Sequence, residues 1–485
     1  MANRVVPEPA PFPMIANPSF EQGLAGWISS GVIEHGGHEG AFMLTHYAGK
    51  LETTQTLKNL NNGWYTLKVW VRSSGGQKKG FISLKNCGGV DQCTSVPIAP
   101  ADQWLQIVVS AKITHQQCTI SLFSEVENDH WVSFDDIKLV PGRRALSILG
   151  ADISSLKKSE DKSGIYLNER GIQDDALKIL RDHGINYARL RVWVNSPDGY
   201  HGKAQLLEMA KRLKTQQIKL LVDFHYSDSW ADPGKQYKPR VWENLNFENL
   251  KQALYAHTLD ICNGLKAQGT PADMVQIGNE ITNGMLWPEG KNDQGFDNLA
   301  TLLKEGYRAV KECSPSTLVM LHLDNGGKNE LYRWWFDHVI DQGVPFDLIG
   351  TSYYPYWHGT LADLQNNLDD IAQHYCKDIV VVETAYAFTP EDNDHCENII
   401  RFQECPGYPF TPEGQAKILS DIMTIVRAVP DGHGLGIVWW EATWTAVPGN
   451  GWDPAVPCSG NNWENQALFD FQCRPLPAMS LFNMP

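Results

Sequence analysis

The pattern of apolar and polar residues divides this chain into two parts with different secondary structure. Before residue 141, short apolar runs alternate with polar residues, and clusters of Asn, Ser and Gly separate the runs. The predicted strands are Trp64–Val71, Gly80–Leu84, Leu105–Ile113, Thr119–Phe123 and Trp131–Val140. Because no helix-length periodic segment accompanies them, we expect residues 15–141 to form an all-β jelly-roll sandwich.

After residue 145, apolar strands alternate with amphipathic helical segments. The predicted strands are Leu146–Asp152, Tyr187–Val194, Ile218–His225, Met274–Glu280, Thr317–Leu323, Leu348–Tyr354, Ile379–Glu383 and Leu435–Trp440. The predicted helices between them are Gln173–His183, Gly202–Gln216, Phe247–Gln268, Asn298–Cys313, Asn329–Gln342, Leu361–His374 and Pro412–Ala428. Eight such units predict an α/β fold, a (β/α)8 (TIM) barrel over residues 145–485. A doubly wound sheet is the alternative, but Gly150-Ala151-Asp152 lacks the Gly-rich nucleotide-binding turn that such a sheet would carry.

The composition narrows the classes of partner. The 485 residues carry a formal net charge of −15, which argues against nucleic acid or an anionic membrane as partner and favours a neutral substrate. No apolar run is long enough to span a membrane. The 17 tryptophans are many, and their faces are surfaces on which sugar rings stack. We expect a monomer that needs no cofactor for its chemistry.

The cysteines and the N-terminus bear on the cellular compartment. Three pairs that are close in loop-like sequence predict disulfides, and these are Cys87 with Cys93, Cys396 with Cys405, and Cys458 with Cys473. Four other cysteines lie in apolar or helical segments and are predicted to be buried thiols: Cys118, Cys262, Cys313 and Cys376. Met1–Pro13 has no hydrophobic signal core, so we expect a secreted protein whose signal peptide is not part of this sequence.

Polar and aromatic residues stand at the ends of all eight predicted barrel strands, where TIM barrels carry their active sites. Two of them are carboxylates: Glu280 after strand four and Glu383 after strand seven. Glycoside cleavage needs a protonated acid and an ionised carboxylate on opposite sides of the reacting bond, so this pair predicts a glycosidase. Asn279, directly before Glu280, could bind the sugar 2-hydroxyl.

Other strand-end residues are candidates for binding the substrate. They are Asp152, Arg191, Trp193, His225, Trp230, Asn279, Trp287, His322, Asp324, Tyr354 and Trp440. Arg191 could keep a nucleophile ionised, but Arg189 points to the same face of its strand and is an equal alternative. Tyr354 could donate a hydrogen bond to Glu383, with Tyr353 as the competing choice. For each residue the alternative is a structural role, such as packing for the tryptophans.

Several motifs resemble glycoside hydrolase family 53, the endo-β-1,4-galactanases. They are Gly150-Ala151-Asp152-Ile153-Ser154-Ser155, Arg189-Leu190-Arg191-Val192-Trp193, Asp223-Phe224-His225-Tyr226-Ser227-Asp228-Ser229-Trp230-Ala231-Asp232-Pro233 and Gln276-Ile277-Gly278-Asn279-Glu280. The resemblance implies cleavage of β-1,4-galactosyl bonds in type I arabinogalactan and pectic galactan by the retaining mechanism of clan A. It also implies that Glu280 is the acid/base and Glu383 the nucleophile. A different clan A endo-β-1,4-glycosidase, such as a mannanase, and a non-catalytic lectin are the alternatives.

The N-terminal part is similar to carbohydrate-binding modules of family 61, which bind β-1,4-galactan. The similarity lies in Asn17-Pro18-Ser19-Phe20-Glu21, Gly26-Trp27, Trp64-Tyr65-Thr66-Leu67 and Phe134-Asp135-Asp136. It implies a structural calcium ion with Glu21 and Asp136 as candidate ligands. Some bacterial relatives of the barrel bind calcium after strand seven through an Asp-x-Asp-x-His-x-Asn run, to which residues 392–398 correspond here. Because His395 is displaced by one position and Cys396 takes a ligand's place, a disulfide to Cys405 is expected to replace the ion.

Overall fold

A computed structural model describes residues 15–98, 103–456 and 459–483. The chain separates into two compact units, with the division between Ala145 and Leu146. Met1–Pro13 and Cys458, on which two of the sequence predictions depend, lie outside the described residues. Of the described helices, none is long and apolar enough to cross a membrane.

The described part of the N-terminal unit is built from two antiparallel sheets. Its strands are β1 (Ile28–Ser29), β2 (Val32–His35), β3 (Phe42–His46), β4 (Gly49–Lys58), β5 (Gly63–Ser73), β6 (Gln77–Lys85), β7 (Gln92–Ser95), β8 (Leu105–Ile113), β9 (Gln117–Val126) and β10 (Val132–Pro141). The strand orders are β1-β4-β9-β6-β7 and β2-β3-β10-β5-β8. The predicted all-β architecture is confirmed, and the sequence pattern missed β1 to β4 and β7.

The second unit is a closed barrel of eight parallel strands, as predicted. Its strands are β11 (Ile148–Asp152), β12 (Tyr187–Val192), β13 (Lys219–Phe224), β14 (Met274–Ile277), β17 (Leu318–Leu323), β18 (Leu348–Ser352), β19 (Asp378–Thr384) and β20 (Gly434–Trp439), and a short ribbon, β15 (Gly284–Met285) with β16 (Gly290–Lys291), follows β14. The helices are α1 (Leu156–Asp161), α2 (Ala176–Asp182), α3 (Lys203–Thr215), α4 (Phe247–Ala267), α5 (Asp297–Cys313), α6 (Asn329–Asp341), α7 (Leu361–Tyr375) and α8 (Pro412–Ala428). After β20 the described chain continues as loops and two 3-10 helices, Glu464–Gln466 and Pro477–Asn483, the second of which packs on α8.

Local sequence explains where the helices begin. Thr360 and Asp363 form a reciprocal capping box at the start of α7. The Asn246 side chain accepts the Asn249 N–H at the start of α4, and Thr411 does the same for Gly414 ahead of α8. Large apolar side chains from all eight strands fill the barrel interior, and these are Ile148, Tyr187, Leu221, Met274, Met320, Leu348, Val380, Val382 and Val438. The filled interior leaves the carboxyl ends of the strands as the place for a site.

The cysteines are arranged differently from the predicted pairs. Cys87 lies against Cys118, with their Sγ atoms 3.3 Å apart, while Cys93 is an exposed thiol. Cys396 and Cys405 are also free thiols. The predicted disulfides are therefore not confirmed. Cys118, Cys262 and Cys313 are buried as predicted, and the prediction for Cys376 was wrong because this residue ends α7 at the surface.

Candidate active site

A sharp turn after β14 presents Glu280 at the barrel mouth. Gly278 has φ +85°, and a Cβ atom there would lie 2.5 Å from Ile281 Cγ2, so the turn requires glycine. Glu280 itself has φ 47°, a left-handed conformation that is strained for a residue with a side chain. Its carboxyl group is almost fully buried and accepts a 2.6 Å hydrogen bond from Ser352 Oγ.

Glu383 ends β19 on the other side of the mouth. A bulge in the β18–β19 pairing shifts the register so that Glu383, and not its neighbour, lies opposite Ser352. The Tyr354 hydroxyl donates a 2.9 Å hydrogen bond to Glu383 Oε1. Carboxylate oxygens of Glu280 and Glu383 approach within 4.8 Å of each other. An approach this close is compatible with retaining glycosidases, whose carboxyl groups are about 5–5.5 Å apart, and not with the about 6.5–9.5 Å of inverting ones.

Arg189 is the central cation of the site. Its guanidinium is 1% exposed and forms ion pairs with Asp152 (2.8 Å), Asp223 (2.9 Å) and Glu383 (3.2 Å). It also donates to Gln276 Oε1 and to Asn279 Oδ1, each at 2.8 Å. Despite its burial, the neighbouring carboxylates raise its pKa, so the charge is permanent. One buried cation thus bridges carboxylates from three strands and offsets part of their negative charge.

Burial raises the pKa of both glutamates, and the effect is larger for Glu280. The pKa of Glu280 lies well above its usual range because the group is buried and because Glu383 and Asp324 are negatively charged neighbours. Burial raises the pKa of Glu383 to about 7, opposed by the charge of Arg189 and the hydrogen bond from Tyr354. A single proton shared by the pair therefore resides on Glu280.

A chain of hydrogen bonds connects Glu280 to Ser352, His322 and Gln276. His322 Nε2 lies 2.8 Å from Ser352 Oγ, which in turn donates to Glu280. His322 Nδ1 lies 2.9 Å from Gln276 Nε2, so this nitrogen accepts and Nε2 carries the proton. Burial holds the pKa of His322 well below its usual value, which keeps the ring neutral.

His225 has a fixed orientation beside the cavity. Its Nδ1 accepts the Ala231 N–H at 3.0 Å, and its Nε2 lies 3.0 Å from Asp223 Oδ2. These partners require the proton on Nε2. Asp223 thus joins His225 and Arg189 into one network.

The two glutamates open into a cavity of about 440 Å³ with an aromatic wall. Six predicted binding residues line it together with the glutamates: His225, Trp230, Asn279, Asp324, Tyr354 and Trp440. The Asp324 carboxylate is held by the Thr282 hydroxyl and the Asn325 amide. Polar groups and indole rings together are the usual lining of a sugar-binding cleft.

Five predicted binding residues are not part of the cavity wall. Asp152 and His322 are buried beneath it, and Trp193 packs against His225. Arg191 forms an ion pair with Glu441 and lies over the Trp230 ring, 4.0 Å from its centroid, so Arg189 and not Arg191 holds Glu383. Trp287 lies elsewhere, edge-on to Tyr237.

The sequence reasoning missed much of the aromatic wall. Trp444, Trp452 and Trp463 line the cavity from the segment that follows β20, and Trp357 comes from the loop after β18. Trp463 packs edge-on against Trp440, with ring centroids 4.8 Å apart. The signal that could have identified them was the density of tryptophans between residues 439 and 463.

Besides Glu280, His322 and Glu383 at the barrel mouth, two groups of the described residues could hold a cation. Asp392 and Asp394, from the loop after β19, and Glu464, from the segment after β20, bring ligand oxygens within 4.8 Å of one another. In the N-terminal unit Asp136 groups with His38 and Glu39. Glu21, the other predicted ligand there, instead accepts the Phe42 N–H at 2.9 Å.

A closed (β/α)8 barrel with two facing carboxylates in an aromatic cleft defines the class: this protein is a glycoside hydrolase. Residues 148–482 match the model of Glycosyl hydrolase family 53, and the chain belongs to that family.

Named relatives and a solved structure agree with this assignment. An endo-beta-1,4-galactanase of Bacillus subtilis is 35% identical, over 71% of this chain and 87% of its own. Arabinogalactan endo-beta-1,4-galactanase A of Aspergillus niger is 37% identical, over 62% of this chain and 86% of its own. The solved GH53 catalytic domain of Ignisphaera aggregans is 40% identical, with a TM-score of 0.67 over 71% of this chain and 97% of that one.

The two hydrogen bonds to the glutamates should govern opposite limbs of the pH–rate profile. Tyr354→Phe removes a donor that lowers the pKa of Glu383, so that pKa rises and the acidic limb of kcat/KM moves to higher pH. Ser352→Ala removes the corresponding donor to Glu280, so the basic limb moves to higher pH. Full pH profiles of kcat/KM measure both shifts.

Tyr353→Phe is the matched control, because its hydroxyl donates to Gly359 O and not to Glu383. An acidic limb that moves equally in both tyrosine variants would contradict the assignment.

Proposed function

We propose that this protein is an endo-β-1,4-galactanase that cleaves type I arabinogalactan and pectic galactan. The observation that carries the proposal is the pair of buried carboxyl groups, Glu280 and Glu383, within 4.8 Å of each other and with unequal proton affinity. The choice of galactan is supported by the names of the family 53 relatives. Because the substrate is a polymer, we also propose that the protein acts outside the cell.

The mechanism that we propose is a double displacement with retention. The Glu383 carboxylate attacks the anomeric carbon while Glu280 donates its proton to the departing glycosidic oxygen. This forms a covalent glycosyl–enzyme and releases the first fragment. Glu280, now ionised, takes a proton from water, and the resulting hydroxyl attacks the same carbon and releases Glu383.

The surroundings of each glutamate match these roles. Arg189 and Tyr354 stabilise negative charge on Glu383, as a nucleophile requires. Glu280 has no cation of comparable closeness among its described partners and keeps its proton. Asn279 is held by Arg189 and by Ala231 O, so its amide is fixed next to the reacting carbon, where it could bind the sugar 2-hydroxyl.

A polysaccharide panel tests the substrate class. We expect soluble products from β-1,4-galactan and none from β-1,4-mannan or β-1,4-glucan, with a mixture of oligosaccharides early in the reaction because cleavage is internal. Glu383→Ala should lower kcat by about 10³-fold or more. Chromatography of the products and reducing-sugar assays provide the measurement.

Release of sugar from mannan but not from galactan would favour the mannanase alternative. Unchanged turnover in Glu383→Ala would contradict a catalytic role for Glu383. Proton NMR of the first product should show the β-anomer, and an early α-anomer would exclude the double displacement.

We propose that the N-terminal unit is a carbohydrate-binding module that binds β-1,4-galactan. Trp70 and Arg72 project from the outer face of β5, where they alternate with the buried Val69 and Val71. The Arg72 guanidinium lies 4.8 Å from the Trp104 ring centroid and 5.6 Å from that of Trp131. His38 stacks on Trp70 at 3.8 Å. We call His38, Trp70, Arg72, Trp104 and Trp131 the aromatic surface, and it joins indole rings with polar groups as sugar binding requires.

Galactan binding by the full chain tests this surface. In a Glu383→Ala background, which prevents digestion, Trp104→Ala should weaken adsorption to insoluble galactan about tenfold, since one stacked ring contributes about 1.4 kcal/mol. Depletion isotherms give the affinity, and the barrel's own contribution is the same in every variant.

Trp64→Ala is the matched control, because Trp64 is also partly exposed on β5 and also lies under an arginine, Arg143. Weaker binding in the Trp64 variant with unchanged binding in the Trp104 variant would place the sugar elsewhere on this unit.

We further propose a structural calcium ion at Asp392, Asp394 and Glu464. Glu464 is buried, its Oε2 has no hydrogen-bond partner among the described residues, and burial raises its pKa to about 7. A cation would resolve this unfavourable burial, and three carboxylates are suitable ligands for calcium. Asp394 already has both oxygens fixed by the Cys396 and Asn461 N–H groups, so the cluster is preorganised.

Thermal unfolding tests the ion. EDTA should lower the Tm of the wild-type chain, and added calcium should restore it, because an ion bound only by the folded state stabilises that state. Asp392→Asn should abolish the response. Glu391→Gln is the control, because it removes the same charge from an exposed neighbour outside the cluster. The Tm of this variant should still respond to EDTA and calcium. If EDTA leaves the Tm of the wild-type chain unchanged, the calcium ion is excluded.

A further inference from the structure

Two cysteines of the N-terminal unit are in contact in the sheet that contains β6 and β9. Cys87 follows β6 and Cys118 is the second residue of β9. The β6–β9 pairing ends with Lys85 opposite Thr119, which places Cys118 directly beyond the last pair and Cys87 two residues beyond it, in the turn that follows β6. The two Sγ atoms are 3.3 Å apart, and both side chains are buried, at 3% and 0% exposure.

The backbone around this pair is fixed on both sides. The Thr114 N–H donates to Cys87 O at 2.8 Å, and Cys118 pairs with Leu57 of β4. Two thiols held in contact by separate strands can be joined with little movement of the backbone. Cys93, the other cysteine near Cys87 in sequence, lies on β7 opposite Ser83 and is exposed.

We propose that Cys87 and Cys118 form a disulfide bond in an oxidising environment, by exchange with a small-molecule disulfide such as oxidised glutathione. The bond would connect the turn between β6 and β7 to β9, the middle strand of its sheet. It would replace the Cys87–Cys93 pairing that the sequence spacing suggests.

The exchange is balanced in atoms and electrons. The Cys87 thiolate attacks one sulfur of oxidised glutathione, forms a mixed disulfide and expels one glutathione thiolate. The Cys118 sulfur then attacks Cys87 Sγ and expels the second. Two protein thiols are oxidised, one disulfide is reduced, and the two protons pass to the two glutathione thiolates. The contact with Cys118 lowers the pKa of Cys87, which favours the thiolate form of this sulfur.

The bond should stabilise the N-terminal unit and leave the barrel unaffected. It closes the segment from residue 87 to residue 118, and a loop of this size raises the Tm of a small domain by on the order of 10 °C. Hydrolysis of a short soluble substrate, which needs only the barrel, should not depend on the redox state.

Peptide mapping of the full chain tests the proposal. The protein is incubated with oxidised glutathione or with dithiothreitol, unfolded in iodoacetamide, digested and examined by mass spectrometry. We expect a Cys87–Cys118 cross-linked peptide after oxidation only, and a higher Tm for the N-terminal transition in the same sample. Cys93→Ser should keep both results, and Cys118→Ala should lose both.

A Cys87–Cys93 cross-link, a persistent glutathione adduct on Cys87, or alkylation of both Cys87 and Cys118 after oxidation would each overturn the proposal. The wild-type map decides the question even where the Cys118 variant does not fold.

Discussion

The barrel mouth depends on one buried cation, Arg189. Asp152, Asp223 and Glu383 come from three different strands, and each would be costly to bury as an anion without a nearby positive charge. Removing one partner of such a buried group typically costs about 3–5 kcal/mol, because the remaining charges lose their compensation. The same guanidinium also fixes Asn279 and Gln276, so a single side chain both offsets part of the buried negative charge and fixes the geometry of the site.

The difference between the two glutamates follows from this placement. Both are buried at the same mouth, and burial alone would protonate both. The Arg189 guanidinium and the Tyr354 hydroxyl stabilise the ionised form of Glu383. The Glu280 carboxyl group receives a hydrogen bond from Ser352, and negatively charged neighbours favour its protonated form. The environment, and not the residue type, therefore separates the proton affinities of the two glutamates.

The cleft is assembled from two kinds of structure. The barrel strands supply the charged and hydrogen-bonding groups, which need rigid positions because small displacements reduce reaction rates. The indole rings come mostly from loops and from the segment after β20, including Trp444, Trp452 and Trp463. Changes in these loops can therefore alter the cleft wall without displacing the charged groups on the strands.

The sequence by itself determined the two-part architecture, all eight barrel strands, seven of the eight helices and the two carboxylates at the strand ends. These follow from periodicity and from local order along the chain, which a single sequence carries. The sequence could not show whether Arg189 or Arg191 contacts Glu383, because residues two apart on a strand point to the same face. Only closure of the barrel brings Arg189 to Glu383. Tertiary structure also decided that Trp463 lines the cleft and Trp287 does not, and that Cys87 meets Cys118 instead of Cys93. Each of these depends on contacts between residues that are distant in sequence, which no local pattern specifies.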